Sequence, residues 1–283
     1  MMKDMRNAMT IDVEDYFHVS AFSDHIPRTS WDSLPCRVER NVDVILETLD
    51  ETSARATFFV LGWIAERYPA MVRRIIASGH EIASHGYGHQ RATEQNREEF
   101  RQDVIRAKCL LEDIGGVPVA GYRAPSFSIG RDNSWALEVL REIGYRYSSS
   151  IYPIQHDHYG DPCAPRFQHR PYGVEGMLEL PVTAVVVCGY NLPAGGGGYF
   201  RLLPYRYFRW AIRRVNRQDR RPCIFYFHPW ELDPGQPRLR NIGFKTRFRH
   251  YMNLSSMRQK LSRLLQDFEW DRVDRIFPEV NYG

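Results

Sequence analysis

With 283 residues, 43% of them hydrophobic and 25% charged, the chain is globular in composition and long enough for one large domain or two ordinary ones. No run approaches the roughly 18 apolar residues of a membrane-spanning helix, and the opening MMKDMRNAMT lacks the apolar stretch of a secretory signal, so a cytoplasmic location is expected. The five cysteines never form a CxxC pair, which argues against a disulfide framework or a cysteine metal site.

The first predicted element is a strand ending in TIDVEDYFH (10–18), which places Asp12, Glu14 and Asp15 within four positions. Residues 39–50 then set Val42, Ile45, Leu46 and Leu49 at helical spacing. ATFFVLG (56–62) reads as a buried strand, and 63–79 as a helix interrupted near Pro69 with Gly79 at its C-cap. HEIASHG (80–86) is the next strand, followed by a helix near 97–114, a strand at VPVAGYR (117–123) and a helix near 133–143. GYRYSSS, MLELPVT, AVVVCGY and CIFYFHPW supply the later strand candidates. This steady alternation predicts a parallel α/β domain, a barrel, with right-handed crossovers.

Three segments depart from that rhythm. Residues 153–172 are rich in Pro and His and read as a long surface loop, with His156 and His158 as loop residues. GGGG (195–198) reads as a flexible loop. Beyond Pro234 a basic tail contains a predicted helix at 255–268, N-capped by Ser, with Met257, Leu261, Leu264, Leu265 and Phe268 on one stripe. Residues 201–283 carry 18 Lys and Arg against 8 Asp and Glu, the remainder 20 against 26. Such asymmetry marks either a solvated arginine-rich face or a surface for an acidic partner such as anionic lipid. No ordered basic-aromatic motif accompanies it, and nucleic acid is not an expected partner.

His85 and His89, four apart in EIASHGYGH directly after a strand, can face a single ion, and a carboxylate from the first strand's end would complete a typical catalytic site. Glu14 shares the side of Asp12 in an extended segment, whereas Asp15 needs a turn, so Glu14 is favoured and Asp15 is the alternative. His18 either braces such a ligand or packs.

TIDVEDYF, ATFFVLGWIAERYP, EIASHGYGH, GYRAPSFSIG, YSSSIYP and FYFHPWELD together resemble the ordered motifs of the NodB-homology polysaccharide deacetylases. They are most similar to a subgroup associated with exopolysaccharide and exosortase loci. The resemblance implies an α/β fold, a distorted (β/α) barrel of about seven repeats over residues 1–235, with a basic helical extension over 236–283 packed on it. It implies metal-dependent removal of acetyl groups from a polysaccharide or oligosaccharide, with an exopolysaccharide or its lipid-linked precursor as the expected substrate. The basic C-terminal region and the missing signal sequence, rather than the resemblance, point to peripheral contact at the inner membrane. By motif position, Asp12 matches the catalytic base, Arg123 the arginine that orients it and His228 the general acid. His85 and His89 match the metal-binding histidines. The common pattern has a second Asp directly after the base; here that position is Val13. Zinc is the default ion for two histidines and one carboxylate, with nickel, cobalt and iron as alternatives. A backbone N–H near Ala124–Pro125 is expected to support the oxyanion, and Tyr152 and Trp230 are candidates for stacking on sugar rings. The competing functions are another amidohydrolase of the same fold and a non-catalytic glycan-binding module.

Overall fold

The computed structural model describes residues 5–239 and 241–280. Its centre is an eight-stranded parallel sheet built around β1 (Asn7–Val13), every residue of which is buried. β1 pairs with β2 (Thr57–Val60), which continues through β3 (Glu81–Ser84), β4 (Gly121–Tyr122), β5 (Tyr147–Ser148) and β6 (Leu178–Glu179). AVVVCGY joins none of these: β7 (Ala184–Val187) and β8 (Tyr190–Pro193) form a separate antiparallel hairpin around a Cys188–Gly189 turn, both residues at positive φ. β9 (Ile224–Phe227) flanks β1 on the other side, and β10 (Trp270–Asp271) pairs with Asn7 and Ala8. No ladder joins β6 to β9. Instead Thr183 bridges the gap, its N–H donating to the Ile224 carbonyl (3.2 Å) and its hydroxyl accepting from the Ile224 N–H (2.7 Å). Thr183 thus links the β6 end of the sheet to β9 without a strand ladder.

The crossover helices are α1 (Val38–Asp50), α2 (Gly62–Arg67), α3 (Pro69–Ala77), α4 (Arg97–Gly115) and α5 (Trp135–Glu142). Pro69 sits in the first turn of α3, where its missing N–H costs nothing, so the interruption lies where the sequence places it. Asn96 and Glu99 cap α4 reciprocally. Val42, Ile45 and Leu49 of α1 are fully buried against the outward residues of the sheet.

α6 (Gly197–Leu202) and α7 (Tyr205–Arg214) precede β9, and the chain ends with α8 (Phe244–Tyr251), α9 (Leu254–Asp267) and α10 (Val273–Ile276). α9 buries Met257, Leu261, Leu264 and Leu265, as its stripe predicts. Its cap differs: Ser255 lies inside the helix, and Asn253, in a left-handed conformation, precedes it without a side-chain capping bond. GGGG is also not a flexible loop. Gly197 begins α6, and a Cβ there would lie 2.4 Å from the Glu231 carboxylate, so the glycine permits close packing.

Inside the barrel Ala8, Phe59, Ala83, Tyr147, Leu180 and Ile224 pack with Val273, Phe277 and Val280, so the C-terminal segment plugs the end where the strands begin. The buried Glu81 accepts hydrogen bonds there from Thr57 Oγ1 (2.5 Å), Tyr147 Oη (2.8 Å) and the Asp274 N–H (3.2 Å). Burial, and then the neighbouring Asp274, raise its pKa above the ordinary glutamate value. Below the ordinary glutamate range both folded and unfolded chains hold this proton. As pH rises the unfolded chain releases it first, so stability falls until Glu81 itself ionises and is level thereafter. Denaturant unfolding at pH 5 and pH 8 should show Glu81→Gln gaining on the wild type as pH rises; a constant difference would contradict this.

Candidate active site

The opposite end of the barrel, where the strands finish, collects the polar residues. Along β1 the side chains of Met9, Ile11 and Val13 face the helices, while Thr10 and Asp12 point inward, as the strand period requires. Val13 therefore belongs to the core. Arg123, directly after β4, is wholly buried. It donates from Nη1 to Asp12 Oδ1 (2.6 Å) and Thr10 Oγ1 (2.9 Å), from Nε to the Ser149 carbonyl (3.0 Å), and from Nη2 to Ser149 Oγ (2.8 Å). Its guanidinium also lies 4.1 Å from the centre of the Phe59 ring. Removing one partner of such a buried pair costs about 3–5 kcal/mol, because the other charge is stranded.

After Val13 the Glu14 N–H donates to the Asp12 carbonyl (3.0 Å), a tight turn that keeps the Glu14 carboxylate at the mouth. His85 follows β3, and its Nδ1–H donates to the Arg123 carbonyl (2.8 Å), leaving the Nε2 lone pair free to bind. His89 has φ +52°, a strained value for a non-glycine residue, and Gly86 has φ +74°. Asp103 of α4 holds the loop between the histidines by accepting the N–H groups of Tyr87 (2.8 Å) and Gly88 (3.0 Å).

The ligand atoms of Glu14, His85 and His89 lie within 4.8 Å of one another, and all three residues are buried. Glu14 Oε2, 2.8 Å from His89 Nε2, makes no aligned hydrogen bond despite its burial. An orphaned carboxylate oxygen facing two imidazoles fits a divalent cation held between them. Burial drives His85 down to about 4, so it stays neutral and able to ligate. Burial alone would raise Glu14, but the surrounding imidazoles, His89 and His228 first, hold it below the usual carboxylate range.

Asp15 is occupied elsewhere. Its carboxylate accepts from the N–H groups of Tyr16 (2.8 Å) and Val38 (2.7 Å), from the Arg37 N–H, and from Cys36 Sγ (3.1 Å), clamping the first strand's end to the start of α1. His18 packs: its Nδ1 accepts from the Asp15 N–H (2.9 Å), and its ring lies among Phe17, Trp31 and Trp63. Burial lowers its pKa to about 3.

His228 follows β9, its Nδ1 bonded to Glu231 Oε1 (2.7 Å) and its Nε2 3.1 Å from Glu14 Oε1. Burial lowers its pKa, but Glu14, Glu231 and Asp12 outweigh that and push it up to about 9. Glu231 in turn accepts from Arg201 Nε (2.8 Å), and Arg201 donates to the carbonyls of Arg249 (3.1 Å), His250 (2.9 Å) and Met252 (2.7 Å). The α8–α9 turn is thus tied to His228 through two buried side chains. The Glu231 offset, three residues after His228, was available in the sequence; the Arg201 link, which depends on the tertiary fold, was not.

Two expectations are corrected. Tyr152 is fully buried against Phe127, Tyr159 and Tyr226 and offers no face to a sugar. The Ala124 N–H is already donated to Ser150 Oγ (2.9 Å), so it is not a free oxyanion donor. Trp230 reaches the pocket but lies stacked between His228 (5.1 Å) and His250 (4.2 Å). The pocket holds about 990 Å³, at the upper end of the usual range for ligand pockets. Its walls include Arg28, Trp31, Tyr159, Tyr199, Lys245 and Arg249. His156 and His158 also border it; His156 stacks on Tyr159 at 3.9 Å. These wall residues carry no motif that marks them in the sequence.

Residues 28–148 match the polysaccharide deacetylase family, and residues 149–278 match a domain of unknown function, DUF3473. A peptidoglycan-N-acetylglucosamine deacetylase of Bacillus cereus is 35% identical over 95 residues, 33% of this chain and 34% of that protein. A chitooligosaccharide deacetylase of Azorhizobium caulinodans is 35% identical over 103 residues, 36% of this chain and 48% of that protein. The chain thus matches between about a third and a half of these relatives' lengths. A crystal structure from Mycobacterium smegmatis, assigned as a polysaccharide deacetylase, superposes with a TM-score of 0.62 at 22% identity, covering 98% of this chain and 90% of that one, a likeness of fold. The first match contains His85, His89 and Arg123, and the second contains His228. Over residues 28–148 the chain therefore matches the polysaccharide deacetylase family.

Proposed function

We propose that the protein is a metal-dependent hydrolase that removes N-acetyl groups from the amino sugars of a glycan, an exopolysaccharide or its lipid-linked precursor. The observation that carries this reading is the convergence, at one barrel mouth, of the Asp12–Arg123 pair, the Glu14–His85–His89 cluster and His228. Glu14, His85 and His89 would hold a divalent cation, zinc by its donor set, which when bound acidifies a water and polarises the acetyl carbonyl.

The chain's own groups divide the remaining work. Asp12, kept ionised and fixed by Arg123, would accept the proton of the attacking water at its free carboxylate oxygen. His228 would deliver a proton from Nε2 to the departing sugar nitrogen, while Glu231 fixes the ring through Nδ1. The likeness to relatives named for glycan substrates favours a carbohydrate over a small amide. We divide the chain functionally into a deacetylase domain, 1–235, and an extension, 236–283, whose Arg201 tether supports the acid's position. A cytoplasmic site of action, at the inner-membrane surface, is part of this reading; among the described residues no helix is long and apolar enough to cross a membrane.

Metal-loaded protein should release acetate from N-acetylated oligosaccharides, and a chelator should abolish this; wild-type protein with stoichiometric metal and no release from any N-acetylated glycan would contradict the proposal. Asp12→Asn should retain the metal but lose about 10²–10⁴ in acetate release. The two acidic neighbours should separate cleanly by elemental analysis and unfolding. Glu14→Gln should lose stoichiometric metal, whereas Asp15→Asn should keep it and lose about 1–3 kcal/mol of stability with its backbone hydrogen bonds.

A further inference from the structure

α8, in the part of the chain matched by the domain of unknown function, has two working faces. Lys245, Thr246 and Arg249 turn toward the pocket, where Lys245 and Arg249 meet Asp157 of the 153–172 loop. One turn apart on the outside, Phe244 and Phe248 stand in solvent, 83% and 42% exposed, with ring centres 6.3 Å apart. Arg247 lies between them at helical spacing and is exposed, with no ion pair among the described residues. Between Pro234 and Gln266 the sequence contains no Asp or Glu. Two large exposed aromatics, on a helix that carries Lys245, Arg247 and Arg249 and no acid, stand beside the mouth of the pocket and, among the described residues, pair in a ring contact only with each other.

We propose that α8 is a docking element that seats the pocket mouth on an anionic lipid bilayer, Phe244 and Phe248 entering the interface while Arg247 meets the headgroups. The proposal rests on the reading of the substrate as a lipid-linked glycan. Aromatic side chains paired with Lys and Arg and no acid are the composition that partitions to such an interface. A second copy of the chain fits less well, since a symmetric contact through this face would set Arg247 of each copy near the other's cations. The other basic face lies on α7 and the turn after it, where Arg206, Arg213 and Arg217 accompany Trp210. It does not line the pocket and would leave the mouth's orientation unset, so it serves as the control.

The test is flotation of the full chain with vesicles of phosphatidylcholine, with or without phosphatidylglycerol. Binding is expected to the anionic vesicles alone, weakened by salt, and reduced roughly ten-fold or more in Phe244→Ser/Phe248→Ser. Because both residues are exposed and outside the pocket, that variant should unfold at the wild-type temperature and release acetate from a soluble oligosaccharide at the wild-type rate. Absence of binding to anionic vesicles would overturn the proposal. So would undiminished binding by the phenylalanine variant, or loss of binding in Arg213→Glu/Arg217→Glu instead. Vesicle binding that survives a failure to release acetate would uphold docking while removing the deacetylase reading.

Discussion

Arg123 is the residue on which the site's geometry turns. Its guanidinium holds Asp12 by a buried ion pair, and its carbonyl fixes the His85 imidazole, so one residue sets both a carboxylate and a candidate ligand. Thr10 and Ser149 take three more of the guanidinium donors, and Phe59 covers its face. A buried arginine is costly unless its donors are paired, and here those hydrogen bonds tie β1, β4 and the segment after β5 together. Position and charge are therefore specified together.

Around that anchor the three carboxylates of the first motif acquire distinct surroundings. Asp12 faces the arginine, Glu14 faces imidazoles with an oxygen left unbonded, and Asp15 is spent on the backbone of the following helix. Val13, where the common pattern has an acid, packs among core residues because a strand alternates its faces. The acid side is reinforced from farther away. The chain from His228 through Glu231 and Arg201 ends on the carbonyls at the close of α8, so the last fifth of the sequence supports the site as well as plugging the far end of the barrel.

Much of this was legible because periodicity and motif order are local. The interruption at Pro69, the stripe of α9 and the placement of Asp12, Glu14, His85, Arg123 and His228 at strand ends all follow from nearby residues. What stayed hidden depends on chain returning from a distance. The glycines before α6 read as flexible until Glu231 is found against Gly197. Tyr152 reads as a candidate for stacking on a sugar ring until Phe127 and Tyr226 cover it. AVVVCGY has strand composition, but composition does not reveal that it turns back on itself rather than joining the barrel.

The central claim is that Glu14, with His85 and His89, forms the ion-binding site, and the most direct measurement is anomalous diffraction from zinc-soaked crystals. The account predicts a single strong peak bonded to one Glu14 oxygen and to Nε2 of both histidines, at the roughly 2.0–2.2 Å expected for such bonds. A peak ligated by Asp15, or one away from the two histidines, would contradict it.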